Sequence, residues 1–175
     1  NNSYKFSFTT YEEQPPNITD LSSETIKNGQ NYTFLAEIDD NAAVEDAEIV
    51  FWFDGNKTTL PLYKVYENKY KMKVKVPSNA TEIRYYMKAK DTSGNIAVTE
   101  VINYTVIDDL PPVIKIKDID KIQVFENTTF DASSSYDNRV IKDFFWDIDG
   151  KKFNQSIANV TFYELGRIKV TLSVV

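Results

Sequence analysis

Along this chain apolar and polar side chains alternate with a period of two, in stretches too short for a helical repeat. From 70 to 76, Tyr70, Met72, Val74 and Val76 fall on one face, while Lys71, Lys73 and Lys75 fall on the other. Ile83, Tyr85, Met87 and Ala89 alternate in the same way with Arg84, Tyr86, Lys88 and Lys90. Ile168, Val170, Leu172 and Val174 do so with Lys169, Thr171 and Ser173. Each stretch predicts an antiparallel strand with one face in a core and one in water. Further strands are expected over residues 32–38, 49–53, 58–63, 97–107, 122–130, 141–146 and 156–162. Asp54-Gly55-Asn56, Ser93-Gly94-Asn95 and Asp149-Gly150 supply turns between them. No segment carries a helical pattern. Short strands at this spacing imply an all-β protein built on β-sandwiches.

Two segments share one layout. Thr9-Thr10-Tyr11-Glu12-Glu13-Gln14-Pro15-Pro16-Asn17-Ile18 aligns without gaps on Thr105-Val106-Ile107-Asp108-Asp109-Leu110-Pro111-Pro112-Val113-Ile114. Each is a strand end, two acids, one residue, a proline pair, any residue and an isoleucine. Paired prolines have fixed φ and no N–H to extend a ladder, so they stop one sheet and stiffen the step into the next. The repeat places one domain at 15–109 and a second at 110–175. Residues 1–12 read as the terminal strand of a preceding or partner domain.

The second module carries Phe130-Asp131-Ala132-Ser133-Ser134-Ser135-Tyr136-Asp137, then Phe144-Phe145-Trp146-Asp147-Ile148-Asp149-Gly150. Tyr163, Gly166 and Val170-Thr171-Leu172-Ser173-Val174 follow. Over residues 111–175 this resembles the PKD domain family, an immunoglobulin-like sandwich of archaeal and bacterial surface proteins. The resemblance implies structural roles for Trp146 and Asp147, and some members of the family bind calcium. It also implies that a last strand should follow Val170–Val174, so the module is expected to lack one. The Trp146–Gly150 stretch is a residue shorter than the family's usual turn and lacks its first glycine. Residues 15–109 resemble a generic immunoglobulin/fibronectin-III-type module through Asp39-Asp40-Asn41, Phe51-Trp52-Phe53 and the run from Tyr85 to Asn95. There Tyr85 and Asp91 are expected to hold the fold. The fold expected for the whole is two tandem immunoglobulin-like antiparallel β-sandwiches, with Pro111 and Pro112 as the hinge.

Composition adds where such a protein resides. Nine of the fifteen asparagines open an Asn-x-Ser/Thr triplet: Asn1, Asn17, Asn31, Asn56, Asn79, Asn103, Asn127, Asn154 and Asn159. Chance would give roughly two, and none has proline in the middle position. A glycan is added only to an exposed asparagine on a chain that has crossed a membrane, so the sequence reads as an extracellular, cell-surface glycoprotein. The alternation agrees: Ile102, Tyr104 and Val106 face inward and turn Asn103 out, as Val160 and Phe162 do for Asn159. Cysteine is absent, which with dense sequons suggests an archaeal or bacterial surface protein. With no initiator methionine and no charged-then-apolar leader, the chain reads as an excised or processed piece.

Other classes recede. A net charge of −6 opposes binding to nucleic acid or to an anionic membrane, and no apolar run is long enough to insert in a bilayer. Histidine and cysteine are both missing, which removes the commonest catalytic bases, nucleophiles and zinc ligands. Asp147 and Asp149 share a strand face, as a glycosidase pair would, but acids beside a glycine turn are ordinarily solvated. No enzyme is expected, and no cofactor is required. Calcium is the one cation the donors suit: Asp39, Asp40 and Asn41 could meet Asp91 and Asn95 in the first module, with Asp131, Asp137, Asp147 and Asp149 available in the second. The competing account is that these residues simply build turns. Trp52 and Tyr86 could stack on sugars or cover a core edge. The Lys69, Lys71, Lys73, Lys75 stripe suits an edge strand kept from joining other sheets, or contact with an anionic partner.

The expected function is a structural and adhesive module of a glycosylated surface-layer, stalk or filament protein, a stiff spacer and interaction scaffold. Its partners would be N-linked glycans and neighbouring immunoglobulin-like domains or copies of the same protein, including strand addition by residues 3–11. The alternative is a polymer-binding accessory region of a secreted protease or glycanase.

Overall fold

The computed structural model describes residues 3–175; Asn1 and Asn2, and with Asn1 one sequon, lie outside the described residues. The chain divides into two compact units, Asn1–Asp109 and Leu110–Val175. All its regular structure is antiparallel β, as the alternation predicts.

Among the described residues unit 1 holds nine strands: β1 (Asn17–Asp20), β2 (Asn31–Asp39), β3 (Val44–Phe53), β4 (Thr58–Pro61), β5 (Tyr63–Tyr66), β6 (Lys69–Lys75), β7 (Glu82–Asp91), β8 (Ile96–Val98) and β9 (Ile102–Thr105). One sheet runs β1-β2-β6-β5; the other runs β4-β3-β7-β8, with β9 also paired to β7. Alternate residues of β2, β6, β3 and β7 fill the core between them. Phe34 sits at its centre, its ring 5.2 Å from Phe51 and 5.1 Å from Tyr85.

Three expectations are corrected here. The stretch 58–63 is not one strand, because the chain crosses between sheets at buried Leu62, from β4 to β5. The stretch 97–107 breaks into β8 and β9, and Thr99 closes the gap. Its hydroxyl accepts from the Met87 N–H at 2.9 Å, while its own N–H donates to the Met87 carbonyl. The lysine stripe is an edge only in part: β5 lies alongside residues 69–71, and over Lys73 and Lys75 β6 is paired with β2 alone. Residues 3–11 form no strand and pair with none among the described residues.

Unit 2 holds β10 (Asn127–Asp131), β11 (Phe144–Ile148), β12 (Lys151–Phe153), β13 (Ile157–Thr161) and β14 (Val170–Val174). They form a β10-β13 pair and a β12-β11-β14 sheet. The core is small, centred on Trp146, with Phe130, Ile148, Ala158, Val160 and Phe162 around it. The Trp146 N–H reaches the Gln155 carbonyl at 2.9 Å, so the indole is buried with its one donor satisfied. Only the second half of the stretch 122–130 is strand. Phe125, at φ 65, turns the chain before β10 begins. The short turn after β11 is complete as it stands: Asp149 (φ 51) and Gly150 (φ 85) form a two-residue hairpin loop of the left-handed type that matches strand twist.

Candidate functional site

The asparagines separate by position. All eight described sequon asparagines, Asn17, Asn31, Asn56, Asn79, Asn103, Asn127, Asn154 and Asn159, are exposed. The others are mostly used inside the fold: Asn28 is fully buried, and Asn68, Asn95 and Asn138 are half-buried. Strand register explains the first group. Asn31, Asn103, Asn127 and Asn159 occupy outward positions flanked by inward-facing core residues, such as Tyr32, Tyr104, Thr128 and Val160. Asn56, Asn79 and Asn154 lie outside strands.

Two sequons are interlocked across the β10–β13 pair. Asn127 lies opposite Thr161, and Thr129 opposite Asn159, so each asparagine faces the hydroxyl residue of the other triplet. The Thr129 hydroxyl donates to Asn159 Oδ1 at 2.8 Å.

The candidate calcium ligands are occupied locally. Asp39 accepts from Asn68 Nδ2 at 2.7 Å, and Asp40 from the Ala42 N–H at 2.9 Å; Asn41 is exposed on that loop. The two loops of unit 1 do come together, since the Thr92 N–H donates to the Ala43 carbonyl. Yet both Asp91 oxygens face Asn95, one taking its N–H and the other its Nδ2, each at 2.8 Å. Burial works against the Asp91 charge, but hydrogen bonds from the Asn95 side chain and backbone outweigh it and hold the carboxyl below its ordinary range. In unit 2, Asp131 accepts from the Ser133 N–H and Asp137 from the Arg139 N–H. Asp147 binds Lys152 Nζ at 2.5 Å and the Gly150 N–H at 3.0 Å, and the lysine leads in lowering its pKa. Asp149 is the exposed corner of the hairpin. Among the described residues no three acidic side chains converge as a metal site.

Trp146 anchors unit 2. Tyr85 is buried, and its hydroxyl donates to Asp20 Oδ2 at 2.7 Å; burial first, then this bond, pushes its pKa upward. Pro111 and Pro112 follow the Asp108-Asp109 end of unit 1 after Leu110. Sequence reasoning missed what holds that end. Asn28 Nδ2 reaches Asp108 Oδ1 at 2.7 Å and the Ser78 carbonyl at 2.8 Å, and Asn28 Oδ1 accepts from the Asp109 N–H. Nothing local to Asn28 marks a clamp reaching eighty residues along the chain.

Trp52 and Tyr86 are half-buried, with Lys57 Nζ over both rings at 4.7 and 5.5 Å. A hollow of about 290 Å³ in unit 2 is bordered by Asp118, Glu126 and Asp131, but also by Lys117, Lys121 and the Asn127 sequon. Its charges are mixed, unlike a converging acid pair.

No protein-family model matches the chain, and no curated protein matches it. Among solved structures it is similar to fibronectin(III)-like modules of Clostridium thermocellum CbhA, at 14% identity over 90% of this chain and 84% of that one, TM-score 0.39. It is similar to the SrpA adhesin of Streptococcus sanguinis at 17% identity over 66% of this chain and 71% of that one, TM-score 0.40. A chimeric titin Z1Z2 tandem matches at 15% identity over 91% and 96% of the two chains, TM-score 0.37. The chain is an all-β protein of antiparallel sandwich type, and the two sheets of unit 1 follow the strand order of an immunoglobulin-like sandwich. No described helix is long and apolar enough to cross a membrane.

Proposed function

We propose that this chain is a tandem of immunoglobulin-like modules from a glycosylated extracellular surface protein, a surface layer, stalk or filament of archaeal type. It serves there as a stiff spacer and interaction scaffold. One observation carries the reading: every described sequon asparagine is exposed, while most of the remaining described asparagines are buried or half-buried. A random scatter of triplets would have placed some in the core, where a glycan cannot go. The carboxylates support the same view: Asp40, Asp91 and Asp131 cap turns and Asp147 pairs with Lys152. The buried tryptophan, the Asp131–Ser133 turn and the Asp147–Gly150 hairpin support a PKD-type second module.

Glycopeptide mass spectrometry on protein from its native source tests this. The expected result is carbohydrate on strand sites such as Asn31 and Asn103 and on loop sites such as Asn56. Native protein bare at every sequon rejects the reading. Firm retention of the chain on chitin, cellulose or collagen would instead favour the accessory region of a secreted hydrolase.

A further inference from the structure

The outward face of the β10–β13 pair is a ladder of facing residues. Its rows are Asp131 with Ile157, Thr129 with Asn159, and Asn127 with Thr161. One row further on, Phe125 and Tyr163 meet. The Phe125 N–H donates to the Phe162 carbonyl at 2.7 Å, and the two rings pack edge to face with centroids 6.0 Å apart. The positions between the rows on β13, Ala158, Val160 and Phe162, are buried in the core. The ring pair therefore stands on the side of the two sequons, next to Asn127.

That ring pair is unfavourable as it stands. Phe125 and Tyr163 are 71% and 66% exposed, so most of their apolar surface meets water. Phe125 also holds φ 65, a left-handed conformation rare for a bulky side chain. Strain and apolar exposure kept at one point mark a place where a ligand is received. The two sequons differ in what surrounds them. Asn159 is held, its Oδ1 accepting from the Thr129 hydroxyl at 2.8 Å, and the row beyond it is Asp131 with Ile157, without a ring. Asn127 Nδ2 makes a long contact of 3.5 Å to Asn159 Oδ1, and the row beyond it is aromatic. Successive rows are about 6–7 Å apart, a gap that one sugar on Asn127 Nδ2 spans.

We infer that carbohydrate on Asn127 folds back on its own module, the C–H face of its first sugar stacked on the Phe125–Tyr163 pair. A pyranose is apolar on the face where its axial hydrogens project and polar at its hydroxyl rim. Stacking covers the aromatic surface and leaves the rim in water. The sugar then ties the start of β10 to the end of β13 and adds apolar cover to a unit whose own core is small. This rests on the glycan reading above and extends it, giving one glycan a structural role.

The full chain secreted from a eukaryotic host, which links N-acetylglucosamine to Asn-x-Thr, supplies the test. Urea unfolding of unit 2 is followed through Trp146. A cycle compares the parent, Asn127→Gln, Phe125→Ala with Tyr163→Ala, and all these changes together. The tryptic peptide 122–139 contains the Asn127 sequon alone and reports its occupancy. Loss of the glycan should lower the folding equilibrium constant about tenfold in the parent, a coupling typical of groups in contact, and change it little once the rings are gone. In the parent itself, ring protons of the sugar on Asn127 should resonate upfield of those of the sugar on Asn56. An equal effect of the glycan with and without the rings overturns the inference, as do coincident sugar resonances at the two sites. Asn127 left bare while Asn31 or Asn56 is occupied overturns it and leaves the glycan reading standing. Native protein bare at every sequon rejects both.

Discussion

Unit 1 and unit 2 use the same alternation around cores of very different size. In unit 1 β7 is flanked along its length, and where the ladder beside it would fail at Met87 the Thr99 hydroxyl and N–H fill it. In unit 2, β14 is paired on one side and the core is a handful of residues around one tryptophan. A small sandwich with an open edge buries less apolar surface against the same chain entropy per residue, so it is the weaker of the two. Strand pattern specifies what a strand is, and what covers its second edge is decided elsewhere.

Each unit has its own tryptophan, Trp52 in unit 1 and Trp146 in unit 2, so fluorescence separates them. The largest effect is expected from Phe130→Ala, which removes the ring 5.9 Å from Trp146. A loss of about 3–5 kcal/mol approaches all the stability a sandwich this small has, so the Trp146 emission should show no folded baseline in a urea titration. Phe34→Ala removes a ring of the same size from unit 1. It should shift the Trp52 transition to lower urea but leave it cooperative. If Phe130→Ala leaves unit 2 folded while Phe34→Ala unfolds unit 1, the ranking of the two units is reversed.

Tyr85→Phe should cost about 1–2 kcal/mol, confined to unit 1, because it deletes the buried bond to Asp20. Gly150→Ala should cost about 1 kcal/mol in unit 2 alone. Its Cβ meets open space, so the penalty comes from φ 85.

Acid separates the units more gently. Asp91 is held below its ordinary pKa in the folded state, so its contribution is present above the unfolded value and lost as pH falls through the folded one. Asp91→Asn should therefore lower the neutral stability of unit 1 and flatten its decline below about pH 4. Asp147 is lowered as well, chiefly by Lys152, but that pair is water-exposed. Asp147→Asn should consequently change the acid limb of unit 2 little. Melting curves from pH 2 to 7 on both variants check the contrast.

Much of this was legible in the chain. The β2, β6, β7 and β14 strands are readable from alternation because each has one wet face and one dry face. The outward direction of Asn103 and Asn159 followed from the same count. Short or irregular pieces were not readable. β1 is four residues after a proline pair, β5 hides behind the sheet change at Leu62, and Phe125 turns the chain in a conformation its type disfavours. The polar ties that hold unit 1, Tyr85 to Asp20 and Asn28 to Asp108, join residues far apart in sequence. Local pattern carries no trace of them. The carboxylates offered as calcium ligands are a different case. Asp and Asn at loops look alike whether they hold a cation or cap their own turn, and here Asp40, Asp91 and Asp131 cap theirs.

Residue-resolved hydrogen exchange of β14 and β7 in dilute, monomeric protein reads the difference between the units directly. The amides of Thr171 and Ser173 should be protected and those of Val170, Leu172 and Val174 should exchange quickly, whereas neighbouring amides along β7 should all be slow. Uniform protection along β14 in the monomer would contradict the open edge on which this account of unit 2 depends.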